Sequence, residues 1–392
     1  MNRPTFWAIY ITNFVFFIGI SHAGTLISAI LRICRAEWRR AITRSAEVIT
    51  VLVLFFGVGN IIIDLGRPDR LLNVIFHGEL RSPLLWDVLS ISTYLAASSI
   101  YLYLPLIPDL ALLRDNLGKN RLFYGILSLG WTGSPWQVKL LDRSIAVMAI
   151  LVIPIAISVH TVVSWVFGMT IQPMWHSTIF GPYFVVGAIF SGMAALIVAM
   201  AVFRRAYRLE NYVKEVHFQY LSVLLLVFSL LWFYFTFAEY LTTYYGGEPA
   251  HMAVFWAKMT GSYAPYFWAM IFTCFVIPFS ILAIKRLRTI KGIVIASVSI
   301  LIGMWLERFT IVVPTLVNPR LPYSRGIYSP TWVEVSITAA CFAAFILMYM
   351  VFTKFFPIVS IWEIREGREA VGHATTRLES YLPVPISSET KT

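Results

Sequence analysis

Nine predominantly apolar stretches, separated by polar connectors, constrain this chain more than anything else in it. They run at 5–31, 45–66, 84–108, 143–170, 179–203, 217–245, 263–285, 290–315 and 331–353. Each approaches or exceeds the roughly 20 residues a helix needs to cross the hydrocarbon core of a bilayer. Backbone in that solvent must satisfy its own N–H and C=O groups, so such runs fold as helices. Composition agrees. Charged residues make up 13% and hydrophobic ones 58% of 392 positions, against roughly 25% charge in a soluble domain. An aromatic content of 16% suits belts at the membrane interfaces. The expected fold class is an all-α polytopic membrane protein.

Loop charge gives the spans a direction. One side receives 23 Lys and Arg, in 32–44, 114–143, 204–214, 285–291 and the tail. The other receives 7, namely Arg3, Arg67, Arg70, Arg81, Lys258, Arg320 and Arg325. Arg308 falls within a span. The positive-inside rule then predicts an outer N-terminus, a cytoplasmic C-terminus and a multi-pass protein of the bacterial cytoplasmic membrane. One missed or invented span would flip every later loop and spoil the asymmetry. The net charge of +11 is thereby explained as a topology signal and a contact for anionic lipid, without nucleic acid. The first run is too long for the apolar core of a signal peptide and ends in arginines, which suits a retained span. Cys34, Cys274 and Cys341 lack paired spacing. They are too few for an iron–sulfur cluster or a structural zinc and read as packing residues. The longest connector, 109–142, reads as polar, and the 354–392 tail as cytoplasmic with a disordered end.

Ionisable side chains inside or beside these spans are the functional signal. They are His22, Glu47, Asp64, Asp87, His160, Glu239 and Glu307. A charge near the bilayer centre costs at least ~2.5–3.5 kcal/mol on insertion scales, so such groups pair, face a bundle interior, or handle protons, ions and polar ligands. With 1.5 Å rise per residue, Asp64, Asp87 and Glu239 lie at outer ends of their spans and Glu307 about two turns below one. His160 lies about 15 Å down from outside by the same rise, His22 somewhat below mid-depth, and Glu47 at the inner start of the second span. Outer acids with a connecting histidine suit a proton-exchanging quinone head group, and equally a cation site. A ladder Glu47–His22–His160 suits a proton path.

Each residue also has a structural reading. Asp64 can pair with Arg67 at i+3. Asp87 can cap or anchor its span. Glu47 can satisfy its helix N-terminus and Arg44. Glu239 can face the outer interface beside Tyr240. Glu307 and Arg308, as sequence neighbours, cannot share a helix face and need partners elsewhere. Both histidines can be hydrogen-bonded packing residues, and their unequal depths argue against a shared haem. Small residues at His22-Ala23-Gly24-Thr25 and at Gly187, Ser191 and Gly192 let helices approach closely. Asn13 can bond a ligand oxygen or a neighbouring helix. Pro154 and Pro278 are isolated and read as kinks.

Several blocks look familiar together. They are TNFVFFIGISHAGTLISAIL at Thr12–Leu31, LGRP at Leu65–Pro68, SPLLWD at Ser82–Asp87 and LIPDLALLRD at Leu106–Asp115. Further along come SVHTVVSW at Ser158–Trp165, PMWHSTIFGPYFVVGAIFSG at Pro173–Gly192, FAEYLTTYYGGE at Phe237–Glu248 and ERFTIVVPTL at Glu307–Leu316. The chain resembles the NrfD/PsrC family of quinone-interacting membrane subunits, and within it the branch of alternative complex III. The resemblance implies two four-helix bundles, 1–170 and 171–315, then an outer loop with a ninth helix over 316–353, and the tail. It implies a quinone pocket, for menaquinone or ubiquinone, toward the outer face of the first bundle. A ferredoxin-like iron–sulfur subunit would dock there, in a complex with a molybdopterin-type subunit, a multihaem cytochrome c, or both. No haem or metal is expected in this chain. By position, Asn13, His22, Asp64, Arg67 and Asp87 go with the pocket, and His22 and Asp64 are the candidates for proton exchange with the quinone. Glu47, His160, Glu239 and Glu307 go with the proton path. Two departures stand out. The branch usually has one helix before this first span, and Trp165-Val166 stands where an acid often follows the HTVVS block, which weakens the case for full proton translocation.

Two other classes remain open on the residues alone. A secondary transporter would use buried acids, but such folds commonly show internal repeats and broken helices, and neither is evident. A structural subunit without a pocket would keep the spans and lose the ligand.

Overall fold

A computed structural model of the chain describes residues 8–116, 121–321 and 326–366. Arg3, Lys119, Arg325 and the polar end of the tail beyond 366 therefore lie outside the described residues. Among the described residues, nine helices are long and apolar enough to cross a membrane. They are α1 Ala8–Ile33, α2 Thr43–Asp64, α3 Pro83–Asn116, α4 Pro135–Gly168 and α5 Phe180–Ala206. The rest are α6 Glu215–Gly246, α7 Ala264–Ala283, α8 Ile290–Val317 and α9 Trp332–Phe355.

The helix ends are chemically marked. α4 opens with a capping box in which the Ser134 hydroxyl accepts from the Gln137 N–H and the Gln137 amide oxygen accepts from the Ser134 N–H, satisfying two orphan donors at once. Thr331 and Glu334 repeat the device at α9. α6 stops at Gly247, whose φ of +61° suits a residue with no Cβ. The span ends agree with the sequence reading within a few residues, with one correction. The 109–142 connector is partly helical: α3 runs on through Asn116, Arg121–Leu127 form a short helix, and α4 already begins at Pro135. Hydropathy marks where the apolar run ends, and capping marks where the helix ends.

α1 is the centre of the molecule. It packs against α2, α4, α5 and α8. Gly24 allows its approach to α2, because a Cβ there would run into the backbone carbonyl of Ala46 and the Thr50 hydroxyl. Small residues at such crossings maximise van der Waals contact where lipid offers no hydrophobic gain. α7 contains a π-helical turn, Phe272–Val276, just before Pro278. The Cys274 carbonyl in that turn accepts from Ser229, and Gly303 of α8 leaves it room. A proline that cannot donate an N–H is absorbed in this way. α9 is peripheral, with only Glu334 and Tyr349 buried on it.

Candidate functional site

A thread of polar side chains runs through the apolar interior along α1. It starts near the end of the molecule that carries Arg32, Arg39 and Arg44. There the Ser28 hydroxyl donates to Glu47 at 2.7 Å and lies 3.3 Å from the Tyr101 hydroxyl. One turn along α1, Thr25 donates to Ser98 at 3.3 Å, and its backbone N–H donates to Thr50. The Ser21 carbonyl accepts from both Thr50, at 2.6 Å, and Tyr94, at 2.9 Å. The Tyr94 ring then stands 5.2 Å from the His22 ring.

His22 and His160 are side by side, with ring centroids 3.8 Å apart. This corrects the unequal depths inferred from counting residues. Register along tilted helices shifts depth by more than the count resolves. The spacing leaves no room for a porphyrin between the rings. His22 Nε2 donates to the Ala156 carbonyl at 2.5 Å, and Nδ1 faces the Ile18 carbonyl at 3.3 Å. Both carbonyls only accept, and a neutral imidazole donates to one of them. Neither ring nitrogen of the fully buried His160 has a hydrogen-bond partner among the described residues.

Beyond His160 the thread meets Arg308. Its guanidinium sits near Gly19, Gly187 and Ser191, where glycine leaves the space, and lies 5.7 Å from the Phe184 ring. Arg308 and Glu307 are in direct contact and both buried. The two side chains meet although they are sequence neighbours, and Glu307 also takes the partner on another helix that the sequence calls for. Trp232 donates to Glu307 at 3.0 Å.

The other candidates lie elsewhere. Asp64 ends α2 half-buried and faces the Glu334 carboxylate. The expected Asp64–Arg67 pair is not formed; exposed Arg67 pairs with Asp69 at 3.1 Å instead. Asp87, near the start of α3, is buried, and its Oδ1 has no partner among the described residues. The Asn13 amide is fully engaged. It donates to Thr338 at 2.8 Å and to Asn60 at 3.4 Å, and accepts from Trp305 at 3.0 Å, so it ties α1 to α2, α8 and α9. Arg44 does not pair with Glu47 as expected but with Asp109, at 3.0 Å.

Glu239 is buried rather than at an interface, and Lys258 lies beside it. Lys258 belongs to Pro249–Met259, a short helix between α6 and α7. Burial lowers its ammonium to about 8, and the Glu239 carboxylate opposes part of that shift. In the sequence, Lys258 reads only as a loop charge. Its one signal is its place in the otherwise apolar run Met252–Met259. Glu363 is a second residue that the sequence does not announce. It is buried among Arg32, at 2.9 Å, and Arg39, at 3.2 Å. Burial by itself pushes the Glu363 carboxyl up, but the guanidinium groups of Arg39 and Arg32 outweigh it and hold the group below the usual range. Among the described residues, no group of three or more His, Cys, Asp and Glu could hold a metal ion.

Comparison with known proteins adds a frame. A family model described as "Polysulphide reductase, NrfD" matches residues 1–319. A putative dimethyl sulfoxide reductase membrane subunit of Halobacterium salinarum is similar, at 24% identity over 386 residues, covering 91% of this chain and 84% of the relative. A selenate reductase subunit of Mesobacillus selenatarsenatis is 25% identical over 382 residues, covering 90% and 86% respectively.

Proposed function

Because this chain belongs to the polysulphide reductase NrfD family, we propose that it is the membrane subunit of a reductase complex in which a quinone exchanges electrons with an iron–sulfur partner. One observation carries the proposal: the polar thread from Glu47 to Arg308 crosses helices that are otherwise apolar, and its central residue, His160, has two buried nitrogens without partners among the described residues. Buried ionisable groups in membrane helices are costly and by default mark proton or ligand handling.

The residues present fit a quinone head group. Asp64 and Asp87 lie at the Lys/Arg-poor ends of the neighbouring helices α2 and α3, and Asp87 keeps one oxygen without a protein partner among the described residues. When bound, the quinone supplies two-electron, two-proton chemistry, and the protein supplies position and protons. Asp64 and Asp87 hold and release protons at the pocket. His22 holds a proton at Nε2 against the Ala156 carbonyl, and His160, its ring 3.8 Å away with both nitrogens unpartnered among the described residues, is the next group placed to take one. The Asn13 hydrogen bonds hold α1 against α2, α8 and α9. Glu47, Ser28 and Tyr101 extend the route to the basic end. Glu307 closes its other end against Arg308.

The wider assembly follows from the same reading. Both relatives are named as subunits of reductases. That supports a ferredoxin-like iron–sulfur subunit docked at the Lys/Arg-poor end, with a molybdopterin-type subunit or a multihaem cytochrome c beyond it. Helices α1–α4 and α5–α8 form the two bundles in this proposal, with α1 at their seam. The Lys/Arg-poor end faces outward.

The test is His22→Asn and Asp64→Asn in the assembled complex. Each is expected to lower quinone-linked electron transfer roughly 10²-fold or more, the usual scale for a lost acid–base group, with subunit assembly unchanged. Normal turnover in both variants refutes the assignment. Quinone extracted from the purified complex separates this reading from a transporter or a purely structural subunit.

A further inference from the structure

The second half of the molecule holds an acid–base pair that the polar thread does not use. Glu239 is 6% exposed, and its Oε2 has no hydrogen-bond partner among the described residues. Ser177 lies close to the same carboxylate, and its hydroxyl favours the charged form. Lys258 is 3% exposed, with its Nζ 5.7 Å from the centre of the Tyr240 ring. Between them is a cavity of about 20 Å³, also touched by Tyr183, Met270 and Thr310. One water needs roughly 10–15 Å³ of such space and two to four polar partners. An unpartnered carboxylate oxygen and a buried ammonium provide them. A larger cleft of about 390 Å³ adjoins this cavity, because Trp175 and Phe180 line both. Ser177 lines the cleft and stands beside Glu239.

We propose that Glu239 and Lys258, bridged by one water molecule, form a proton-exchange site that communicates with the adjoining cleft through Ser177. The geometry favours exchange over a structural ion pair. A structural pair closes to direct contact and satisfies both oxygens, whereas this pair stands apart across a cavity with one oxygen free. Few other groups compete for the proton. Tyr183 from α5, Tyr240 from α6 and Thr310 from α8 face the cavity with hydroxyls, Met270 from α7 is apolar, and no second carboxylate or cation lines it among the described residues. The Lys258 ammonium, lowered to about 8 by burial, is able to change charge near neutral pH. The pair is separate from the thread through His22 and His160, and it extends the proton-path expectation for Glu239 by giving that acid a base, a water and a cleft.

Infrared difference spectra of the purified protein in lipid nanodiscs, recorded across a pH titration, test it. A titrating carboxyl band is expected, absent from Glu239→Gln. In Lys258→Met its midpoint moves by about one unit or more, the scale of losing an adjacent opposite charge. In Ser177→Ala its frequency changes, because the hydroxyl beside the carboxyl is gone. Should Glu239→Gln fail to fold, the other two variants still decide, since each must alter the same band. A spectrum unchanged by both Lys258→Met and Ser177→Ala overturns the proposal. So does a high-resolution map showing Lys258 in direct contact with Glu239 and no water between them.

Discussion

Arg44 and Asp109 are 1% and 0% exposed and make a 3.0 Å ion pair. Arg44 also donates to the Pro105 carbonyl at 2.9 Å and to Ser360 at 3.2 Å. Asp109 in turn accepts from the backbone N–H groups of Ile361 and Trp362. Taking one partner away strands a buried charge, which costs about 3–5 kcal/mol, far more than the pair contributes against an apolar replacement. Arg44→Ala or Asp109→Ala is therefore expected to lower the thermal unfolding midpoint sharply in detergent. Arg44→Met with Asp109→Leu recovers most of the loss. A double variant as unstable as the single ones would sink this account. The pair also marks what sequence leaves out at this scale. Which residues are ionisable and buried is readable from hydropathy, and His22, Glu47, His160, Glu239 and Glu307 are all buried as the runs around them imply. Which residue meets which is not readable, because partners come from other helices at distant positions. Asp109 is 65 positions from Arg44, and the nearer candidate for Arg44, Glu47, bonds Ser28 instead.

At the scale of elements, hydropathy and capping locate the nine helices, but the apolar run after α9, at 356–364, is too short to read as a span. Residues 357–366 return to the molecule and lie across the Arg-rich ends of α1 and α2. Glu363 is the key contact. It accepts from Arg32, Arg39 and Thr43, while its backbone carbonyl accepts from Arg40 at 2.8 Å. Arg40 also reaches Glu366 at 2.8 Å. Ile358 is buried and Trp362 packs against the core, but the sequence does not say that an acid beside them is buried among guanidinium groups. The contact has a pH signature. The folded Glu363 carboxyl is held below its ordinary value despite burial, by Arg39 and Arg32. A depressed carboxyl stabilises the fold fully above the unfolded value of about 4.3, and that contribution is lost as pH falls from there through the folded value. Wild type is thus expected to unfold at a higher temperature than Glu363→Gln at pH 7. The gap should begin to narrow below about pH 4.3, where the unfolded chain takes up the proton, and close only once pH has passed below the folded value, where the native side chain is as neutral as glutamine. A gap that stays constant on acidification removes Glu363 from the clamp.

For the whole molecule, orientation decides which end can meet an external partner. Several basic residues that set the charge asymmetry are neutralised in the fold: Arg32, Arg39, Arg40 and Arg44 all pair with acids. This does not weaken the inference from loop charge. Insertion reads Lys and Arg near the span ends as the chain enters the membrane, before distant acids such as Glu363 can reach them. The orientation thus rests on the sequence, while the stability of that end rests on the fold. Cys34 is a natural reporter for it, because it is exposed just past α1, on the Arg-rich side, whereas Cys274 is buried and Cys341 half-buried. A membrane-impermeant maleimide is expected to label Cys34 in inverted vesicles and to leave it unlabelled in intact cells, with Cys34→Ser removing the signal. That result puts Asp64, Asp87 and the cleft beside Ser177 on the outer face, where the proposed iron–sulfur partner can approach the proposed quinone site. Labelling from the outside alone would instead place those groups on the cytoplasmic side, and the proposed partner would have to dock there.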